Sequence, residues 1–518
     1  MIGVAKALDL LLDGSHVGAR RALELRLVDE LAPREQIVER AAAWVRERGV
    51  AIQPWDQKGF RIPGGAGQLA IHALFAGRVG RVAKATLRNF PAPPAILAAV
   101  ADGSVLPIDK ALAVESKYFA TLLTHPVARN LTRTMFVGKG EADKLARRPP
   151  NVPKAVVTRV GVLGAGMMGS GIAYCAARAG MTVVLVDSTL DQAEKGKDYS
   201  RRLLAKEVER GASTREAADA VLERIVTSVG YEQLRGCELV IEAVFEDRKI
   251  KAEVTRAAEA AMLKSGVFAS NTSTLPITGL AENSSRPDRF IGLHFFSPVD
   301  RMGLVEVIVG KRTSKATIAH ALDFVGQLRK TPIVVNDSRG FYTSRVFGFY
   351  CHEGMRLLEE GVAPALIENA GRMAGMPVGP LAVSDEVSIE LLWKVIHQGE
   401  VDLGDKYVKP AGYEVVRRFV HELDRGGRKF GRGFYDYPEG GRKRLWAGLA
   451  KLYPVRAEQP SLEEVKDRLL YVQAMETVRC LDEGVLTHPA DGDLGSILGW
   501  GFPTWTGSTL SLVETVGL

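Results

Sequence analysis

The sequence predicts an α/β fold with a doubly wound sheet, preceded by a helical segment and linker and followed by two mostly helical modules. Three observations predict it. A strand, a glycine-rich turn, a helix and a second strand follow one another over residues 157–187. Further apolar, strand-like runs alternate with helical stretches up to residue 335, and a sequence repeat occupies the helical part beyond it.

Length and composition exclude several classes of protein. A chain of 518 residues is too long for a single hydrophobic core. At about 150 residues per domain, it predicts about three domains. Hydrophobic residues make up 46% of the chain and charged residues 25%, with 53 Gly and 24 Pro. This profile is typical of globular domains and excludes a disordered or fibrous chain.

Charge, cysteine content and the N-terminus together predict a cytoplasmic protein. The net charge of +7 comes from 68 basic and 61 acidic residues spread along the chain, without a nucleic-acid-binding motif or basic stripe. The four cysteines are too few and too far apart for a disulfide framework or a zinc site, so we expect a reducing compartment and no metal. We find no signal peptide and expect no transmembrane segment.

The first 155 residues alternate between helical patterns and Pro/Gly-rich stretches. Residues 4–31 have apolar residues at helical spacing, with Gly14 separating two short helices. Residues 51–94 contain PWDQKGFRIPGGAG and NFPAPP and are interpreted as linker and loop. A helical pattern returns over residues 95–145, and the prolines of ARRPPNVP mark a domain boundary.

The βαβ unit follows that boundary. A strand at Val160–Leu163 leads into a turn with G-x-G-x-x-G spacing, formed by Gly164, Gly166 and Gly169. A helix then runs to Ala179, and a second strand ends at Asp187, 18 residues after the last glycine. Strand, glycines, helix, strand and acid all stand in the order of a Rossmann-type dinucleotide-binding unit.

Each part of this unit has a chemical reason. The first glycine permits a tight turn, the second lets the backbone approach a pyrophosphate, and the third allows close packing of helix and strand. The helix N-terminus offers free N–H groups to the phosphates. Asp187 would accept hydrogen bonds from a ribose 2′-OH and repel a 2′-phosphate, which favours NAD over NADP. We therefore predict that NAD is bound at Gly164, Gly166, Met167, Met168, Gly169 and Asp187.

Four further segments are predicted to continue the sheet, at 237–247, 266–273, 289–299 and 304–310. In such sheets the ligand crevice lies at the strand ends, so polar residues there are the catalytic candidates. Beyond residue 336 the pattern turns helical. Residues 345–362 match residues 468–485, with Arg, Glu and terminal Gly positions in register. This repeat predicts two related helical modules, the second of which lacks a counterpart of KFGRGFYDYP.

These residues resemble the α subunit of the multifunctional fatty-acid oxidation complex, which contains an L-3-hydroxyacyl-CoA dehydrogenase. The resemblance rests on GAGMMGSGIA, SNTSTLPIT, DRFIGLHFFSPV, LVEVI and the linker phrases PWDQKGF, NFPAP and ARNL. It implies a remnant of a crotonase-type hydratase domain (1–33), a linker and helical region (34–155), an NAD-binding Rossmann domain (156–335) and two helical dehydrogenase modules (336–440 and 441–518).

The resemblance also implies a catalytic pair. His294 in LHFF corresponds to the general base of the family, and Glu306 in VEV corresponds to its partner. A histidine suits proton removal from an alcohol near neutral pH, and a carboxylate on its second ring nitrogen fixes the tautomer. Outside this context, a lone histidine at this position would more often be structural.

Four more site residues are implied by position. Ser273 corresponds to the serine that hydrogen-bonds the substrate oxygen, and Asn271 shapes the same loop or meets the cofactor; turn chemistry at a strand end is the alternative for both. Glu246 matches a glutamate near the nicotinamide, with a solvated charge as the alternative. Ser344 stands where the family commonly has an asparagine that completes the catalytic set; its shorter side chain retains a donor and an acceptor.

The resemblance implies NAD-dependent oxidation of (S)-3-hydroxyacyl-CoA to 3-ketoacyl-CoA in β-oxidation. The crotonase core is absent from the 518 residues, so we expect no hydratase activity. The expected partners are the acyl-CoA substrate and a thiolase β subunit, with a homodimer or an α2β2 complex as the assembly. Two alternatives stay open: a 3-hydroxybutyryl-CoA dehydrogenase working in the reductive direction, and a catalytically weak scaffold that binds thiolase.

Overall fold

The computed structural model describes residues 2–49, 52–67 and 69–517. The chain divides into two compact units, Met1–Arg129 and Asn130–Leu518. The described residues of the first unit form helices without a strand, around a small core that includes Val4, Leu8, Val82 and Leu97. The helices are α1 (Val4–Asp13), α2 (Ala19–Glu24), α3 (Ile37–Arg48), α4 (Leu69–Thr86), α5 (Ala92–Gly103) and α6 (Ile108–Leu123). Helix α7 (Pro126–Leu131) spans the boundary between the units.

Helix α4 corrects the interpretation of residues 51–94 as linker and loop. Its sequence LAIHALFAGRVGRVAKAT places Ile71, Leu74, Phe75 and Val82 at helical spacing, and these side chains pack in the core of the first unit. The flanking Pro and Gly residues dominate the sequence pattern, but burial of this apolar stripe decides the structure. Ala51, the first residue of the interpreted range, lies outside the described residues. The two short helices on either side of Gly14 are confirmed.

The second unit is built on an eight-stranded sheet with the order β3-β2-β1-β4-β5-β6-β7-β8. Neighbouring strands are parallel except β6 and β7, which are antiparallel. Chain order reverses between β1 and β4, which is the switch point where doubly wound sheets bind their ligands. The strands are β1 (Arg159–Leu163), β2 (Thr182–Val186), β3 (Ile225–Ser228), β4 (Leu239–Glu242), β5 (Val267–Ser270), β6 (Phe290–Phe295), β7 (Leu304–Val309) and β8 (Thr331–Asn336).

The predicted strands are present: β1 begins one residue earlier than predicted, and β2 and β4–β7 have shorter bounds. Two further strands are not indicated by the sequence pattern. β4 ends at Glu242 instead of continuing to Asp247, because Asp247 caps the next helix by accepting hydrogen bonds from Lys249 N and Ile250 N. The missed strands are β3, which is only four residues long, and β8, which contains Pro332. Proline is tolerated in β8 because this strand lies at the edge of the sheet.

Helices cover both faces of the sheet and form the C-terminal part. They are α8 (Lys139–Asp143), α9 (Met167–Arg178), α10 (Leu190–Glu209), α11 (Arg215–Glu223), α12 (Arg248–Ala261), α13 (Ile277–Ala281), α14 (Lys315–Gln327), α15 (Thr343–Glu359), α16 (Pro364–Ala374), α17 (Pro380–Val387), α18 (Ile389–Leu403), α19 (Tyr413–His421), α20 (Leu449–Leu452), α21 (Leu462–Asp482), α22 (Pro489–Trp500) and α23 (Thr509–Val516). A two-stranded ribbon, β9 (Tyr435–Asp436) and β10 (Arg444–Leu445), lies between α19 and α20.

The sequence repeat corresponds to α15 and α21, which pack against each other through reciprocal ion pairs. Arg345 of α15 donates to Glu476 at 2.5 Å and also pairs with Glu483. Arg468, the repeat counterpart of Arg345, donates to Glu353 at 2.7 Å and also pairs with Glu360. Each copy of the repeat therefore supplies the arginine that pairs with the glutamates of the other copy.

A partly buried ion pair fixes the proline-rich segment that precedes β1 in the chain. Arg148 donates from Nε and Nη2 to Asp323 of α14, at 2.7 and 2.9 Å, and Asp323 is fully buried. Arg148 also donates to the carbonyl oxygens of Val152 and Pro153. Ala155 N donates to the same carboxylate at 2.8 Å.

Replacing Arg148 with methionine is expected to lower the free energy of unfolding by about 3 kcal/mol, because it leaves the buried Asp323 carboxylate without its cation. Urea unfolding of the full chain, followed by circular dichroism, measures the change. Lys195→Met is the control, since Lys195 forms an exposed pair with Asp191 within α10 that contributes less than about 0.5 kcal/mol. Equal losses in the two variants would contradict the prediction.

Candidate active site

The glycine turn lies between β1 and α9, at the switch point of the sheet. Gly164 has φ +91°, and a Cβ there would lie 2.7 Å from the carbonyl oxygen of Ala243. A Cβ on Gly169 would overlap the carbonyl oxygen of Gly164. The first glycine thus serves an αL-like turn and a close strand approach, and the third lets α9 pack onto the turn.

Gly166 differs from the other two glycines because it faces open space. Its φ is −67°, and a Cβ there would meet no atom within 4 Å. Met167, the first residue of α9, is 70% exposed, whereas Met168 is partly buried against the core. The opening at Gly166 and the free N–H groups of the α9 N-terminus fit the pyrophosphate of a dinucleotide.

Asp187 follows β2 beside this turn. Its Oδ2 accepts a hydrogen bond from Ala165 N at 2.6 Å, and its Oδ1 accepts one from Ser188 N at 2.6 Å. The carboxylate therefore holds the glycine turn while it is only half-buried. An acid at this position fits a ribose with a free 2′-OH.

Glu246 braces the loop after β5. Its Oε1 accepts hydrogen bonds from Thr272 Oγ1 at 2.5 Å, Ser273 N at 3.1 Å and Thr274 N at 3.3 Å. Burial alone would raise the pKa of Glu246, but Lys251 at 3.3 Å and these donors hold the pKa below its usual value. Glu246 is thus an ionised side chain that fixes the position of Ser273. It is not merely a solvated charge at the end of a strand.

Asn271 lies at the start of the same loop. Its Oδ1 accepts a hydrogen bond from Phe295 N at 2.8 Å, which ties the end of β5 to the end of β6. Phe245, just before Glu246, is 83% exposed beside this edge. Asn271 therefore shapes the crevice through its amide oxygen.

Sequence reasoning missed a buried ion pair beneath this loop. Lys251 Nζ of α12 lies 2.9 Å from both carboxylate oxygens of Glu242, and Ser270 Oγ also donates to Glu242. Both charged side chains are at most 2% exposed. Lys251 links Glu242 to Glu246 and so fixes the carboxyl ends of β4 and β5. In the sequence, this ion pair is indicated only by the two glutamates of EAVFED and by the lysine five residues after Glu246.

His294 and Glu306 face each other across β6 and β7. The antiparallel register pairs the two residues directly, and His294 Nδ1 lies 2.9 Å from Glu306 Oε2. His294 is 8% exposed and Glu306 is fully buried. No described residue forms a hydrogen bond with the second ring nitrogen of His294, Nε2. An imidazole held in this way has Nδ1 as the donor to the carboxylate and Nε2 available as a base.

The first turn of α15 completes the environment of Glu306. Its Oε1 accepts hydrogen bonds from Tyr342 N at 3.0 Å and Thr343 N at 3.1 Å, and its Oε2 accepts one from Thr343 Oγ1 at 2.6 Å. Ser344 is the next residue and is half-buried. Thr343 is a functional candidate that sequence reasoning missed, because a threonine at a helix start carries no distinctive signal.

Comparison with known proteins agrees with this geometry. Residues 159–338 match the 3-hydroxyacyl-CoA dehydrogenase NAD-binding domain family, and residues 340–437 match the 3-hydroxyacyl-CoA dehydrogenase C-terminal domain family. Over 527 residues the chain is 35% identical to the fatty acid oxidation complex subunit alpha of Shewanella amazonensis, covering 100% of this chain and 73% of that protein. The chain belongs to the fatty acid oxidation complex subunit alpha family.

Solved structures similar to this chain include dehydrogenases. The (S)-3-hydroxybutyryl-CoA dehydrogenase of Ralstonia eutropha is 35% identical, covering 55% of this chain and 100% of that one, with a TM-score of 0.52. The dehydrogenase part of multifunctional enzyme 1 of C. elegans is 25% identical, covering 73% of this chain and 89% of that one, with a TM-score of 0.50.

This member of the fatty acid oxidation complex subunit alpha family is an NAD-dependent dehydrogenase of the 3-hydroxyacyl-CoA type. The predicted family, the Rossmann-type fold with a helical C-terminal part and the NAD cofactor are confirmed. Among the described residues, no helix has the length and apolar character needed to span a bilayer.

A Gly166→Ala substitution is expected to raise the KM for NAD about tenfold without changing thermal stability. The new methyl group meets nothing in the protein but enters the space where the pyrophosphate would approach. Steady-state kinetics and thermal melting measure the two effects. Gly140→Ala on α8 is the control, because its Cβ also faces open space. An unchanged KM for NAD in Gly166→Ala would place the pyrophosphate elsewhere.

Proposed function

We propose that this chain oxidises (S)-3-hydroxyacyl-CoA to 3-ketoacyl-CoA in β-oxidation, with His294 as general base and Glu306 as its partner. The observation that carries this proposal is the His294–Glu306 pair, which leaves Nε2 free at the strand end nearest the crevice. Bound NAD⁺ supplies the hydride acceptor. Nε2 takes the hydroxyl proton of the substrate, and the buried Glu306 carboxylate stabilises the imidazolium that forms.

The substrate oxygen is the proposed target of two hydroxyl groups. Ser273 lies on the loop after β5, and its position is fixed because its backbone N–H donates to Glu246. Ser344 follows Thr343 in the first turn of α15, next to the residues that hold Glu306. A hydroxyl group at either place would stabilise, by donating a hydrogen bond, the negative charge that develops on the substrate oxygen as its proton leaves.

The remaining site assignments concern the cofactor. We assign the pyrophosphate to the backbone of residues 164–169, with Met168 contributing only its backbone because its side chain packs in the core. We assign the ribose to Asp187. We place Glu246 and Asn271 near the nicotinamide of the cofactor, where they shape the loop after β5.

One alternative function has an observation in its favour. The Ralstonia eutropha relative is named a 3-hydroxybutyryl-CoA dehydrogenase, and it matches 55% of this chain. The α-subunit relatives match 100% of this chain, including the first unit and both helical modules, which favours the oxidative role. The scaffold alternative is disfavoured because binding a partner does not require the His294–Glu306 pair.

We further propose a thiolase β subunit as partner, a homodimer or α2β2 assembly, and a cytoplasmic location. All four cysteines are free thiols, so the fold does not require an oxidising compartment. Co-purification with thiolase and light scattering test the assembly. The predicted domain limits and the predicted lack of hydratase activity stay predictions; crotonyl-CoA hydration, assayed in parallel, tests the latter.

The deciding experiment is NADH formation by the purified chain from 3-hydroxyacyl-CoA substrates of short and long chain. We expect turnover of the (S) enantiomers with NAD⁺, and little with the (R) enantiomers or NADP⁺. Faster reduction of acetoacetyl-CoA than oxidation of any longer substrate would favour the reductive alternative. A folded, NAD-binding chain that turns over none of these substrates would overturn the enzymatic proposal.

A further inference from the structure

The His294–Glu306 pair is completed by a hydroxyl group that no active-site motif in the sequence singles out. Thr343 is the first residue of α15 and is 2% exposed. It contacts Glu306 twice, from its backbone N–H to Oε1 at 3.1 Å and from its hydroxyl to Oε2 at 2.6 Å. Oε2 is also the atom that lies 2.9 Å from His294 Nδ1. One carboxylate oxygen therefore accepts from both the threonine and the histidine.

We propose that Thr343 is a positioning residue for the general base, acting through Glu306; the inference rests on the proposed function. The hydroxyl fixes the rotation of the carboxylate group, so that Oε2 points at Nδ1 and Nε2 stays aimed at the crevice. It also takes part of the negative charge on Oε2, so its removal would leave more of that charge facing His294 Nδ1. Thr343 thereby keeps Glu306 in the orientation in which Nδ1 donates to it and Nε2 is available to the substrate proton.

The other groups around the His294–Glu306 pair are aromatic rings and neutral side chains, so Glu306 is the charged neighbour of His294 among them. The rings of Phe296 and Phe341 lie beside His294. The Cys480 thiol of α21 and the Tyr342 phenol just before α15 are both buried, and burial raises the pKa of Cys480 to about 12 and also raises that of Tyr342. Both groups are neutral near pH 7, so neither replaces the hydroxyl of Thr343 in balancing Glu306.

The test compares Thr343→Val, which keeps the shape and removes the hydroxyl, with Thr343→Ser, which keeps the hydroxyl. For Thr343→Val we expect kcat/KM for (S)-3-hydroxybutyryl-CoA at neutral pH to fall roughly tenfold, as for loss of a hydrogen bond to a charged group. The acid limb of the pH–rate profile is expected to move to higher pH, with partial recovery of activity at alkaline pH. Thr343→Ser is expected to keep the wild-type midpoint and most of the activity.

Controls separate this role from a structural one. Thr317→Val removes a buried hydroxyl near the start of α14 that donates to the backbone of Asp288, and it is expected to leave the profile unchanged. If Thr343→Val melts below the wild type, Thr343→Ala against Thr343→Ser gives the same comparison with less bulk. A loss equal at every pH, or no advantage of serine over valine or alanine, would overturn the proposal. An inactive wild-type chain would instead overturn the proposed function.

Discussion

Replacing His294 with glutamine is expected to lower kcat/KM for oxidation of (S)-3-hydroxyacyl-CoA by about 10³-fold, the usual contribution of a positioned general base. Glutamine is close to histidine in length, and β6 and β7 stay paired because the backbone ladder joins them. It has no nitrogen that accepts a proton near neutral pH. The affinity for NAD is expected to stay unchanged, because the glycine turn and Asp187 are untouched. NADH formation and NAD titration measure the two quantities.

The chain offers a matched control for this substitution. His397 on α18 lies 3.5 Å from Glu400, but this pair is within one helix and its histidine is 63% exposed. His397→Gln is expected to retain wild-type kinetics. Full activity of His294→Gln would remove His294 from the mechanism, and equal losses in both variants would indicate a general effect of the substitution.

Glu306→Gln is expected to lower kcat by about 10³-fold even though the side chain keeps its shape. The amide oxygen can accept from Tyr342 N and Thr343 N, as Oε1 of the carboxylate does. The amide nitrogen then occupies the place of Oε2 and cannot accept from His294 Nδ1. His294 must turn its Nδ1 lone pair to the amide, which puts the proton on Nε2 and removes the base.

The double variant His294→Gln/Glu306→Gln tests whether the two residues act as one unit. We expect it to be little worse than either single variant, because each already removes the base. Glu400→Gln is the control for loss of a carboxylate in a His–Glu pair. Multiplicative losses in the double variant would show that Glu306 contributes independently of His294.

The βαβ unit could be predicted because its signals are local. Three glycines, two apolar runs and a terminal acid lie within residues 157–187, and each has a specific backbone reason. The strands β3 and β8 could not, because one has four residues and the other contains Pro332. Only the position of β8 at the sheet edge explains why the proline is tolerated.

The catalytic pair was predicted in part. The motifs identify His294 and Glu306, but the direct cross-strand register depends on how the loop between β6 and β7 folds. The Lys251–Glu242 pair and the Thr343 hydroxyl are contacts between distant elements. Lysine, glutamate and threonine are common on helix surfaces, so their burial at this edge becomes visible only once the sheet order is known.

A crystal structure of the chain with NAD and acetoacetyl-CoA would decide whether His294 is the base. We expect the C3 oxygen of the acyl group to lie about 3 Å from His294 Nε2, with Nδ1 still bonded to Glu306. We also expect the pyrophosphate to lie against Gly166. An acyl C3 oxygen bound away from Nε2, with His294 facing only protein, would contradict the assignment of His294 as the base.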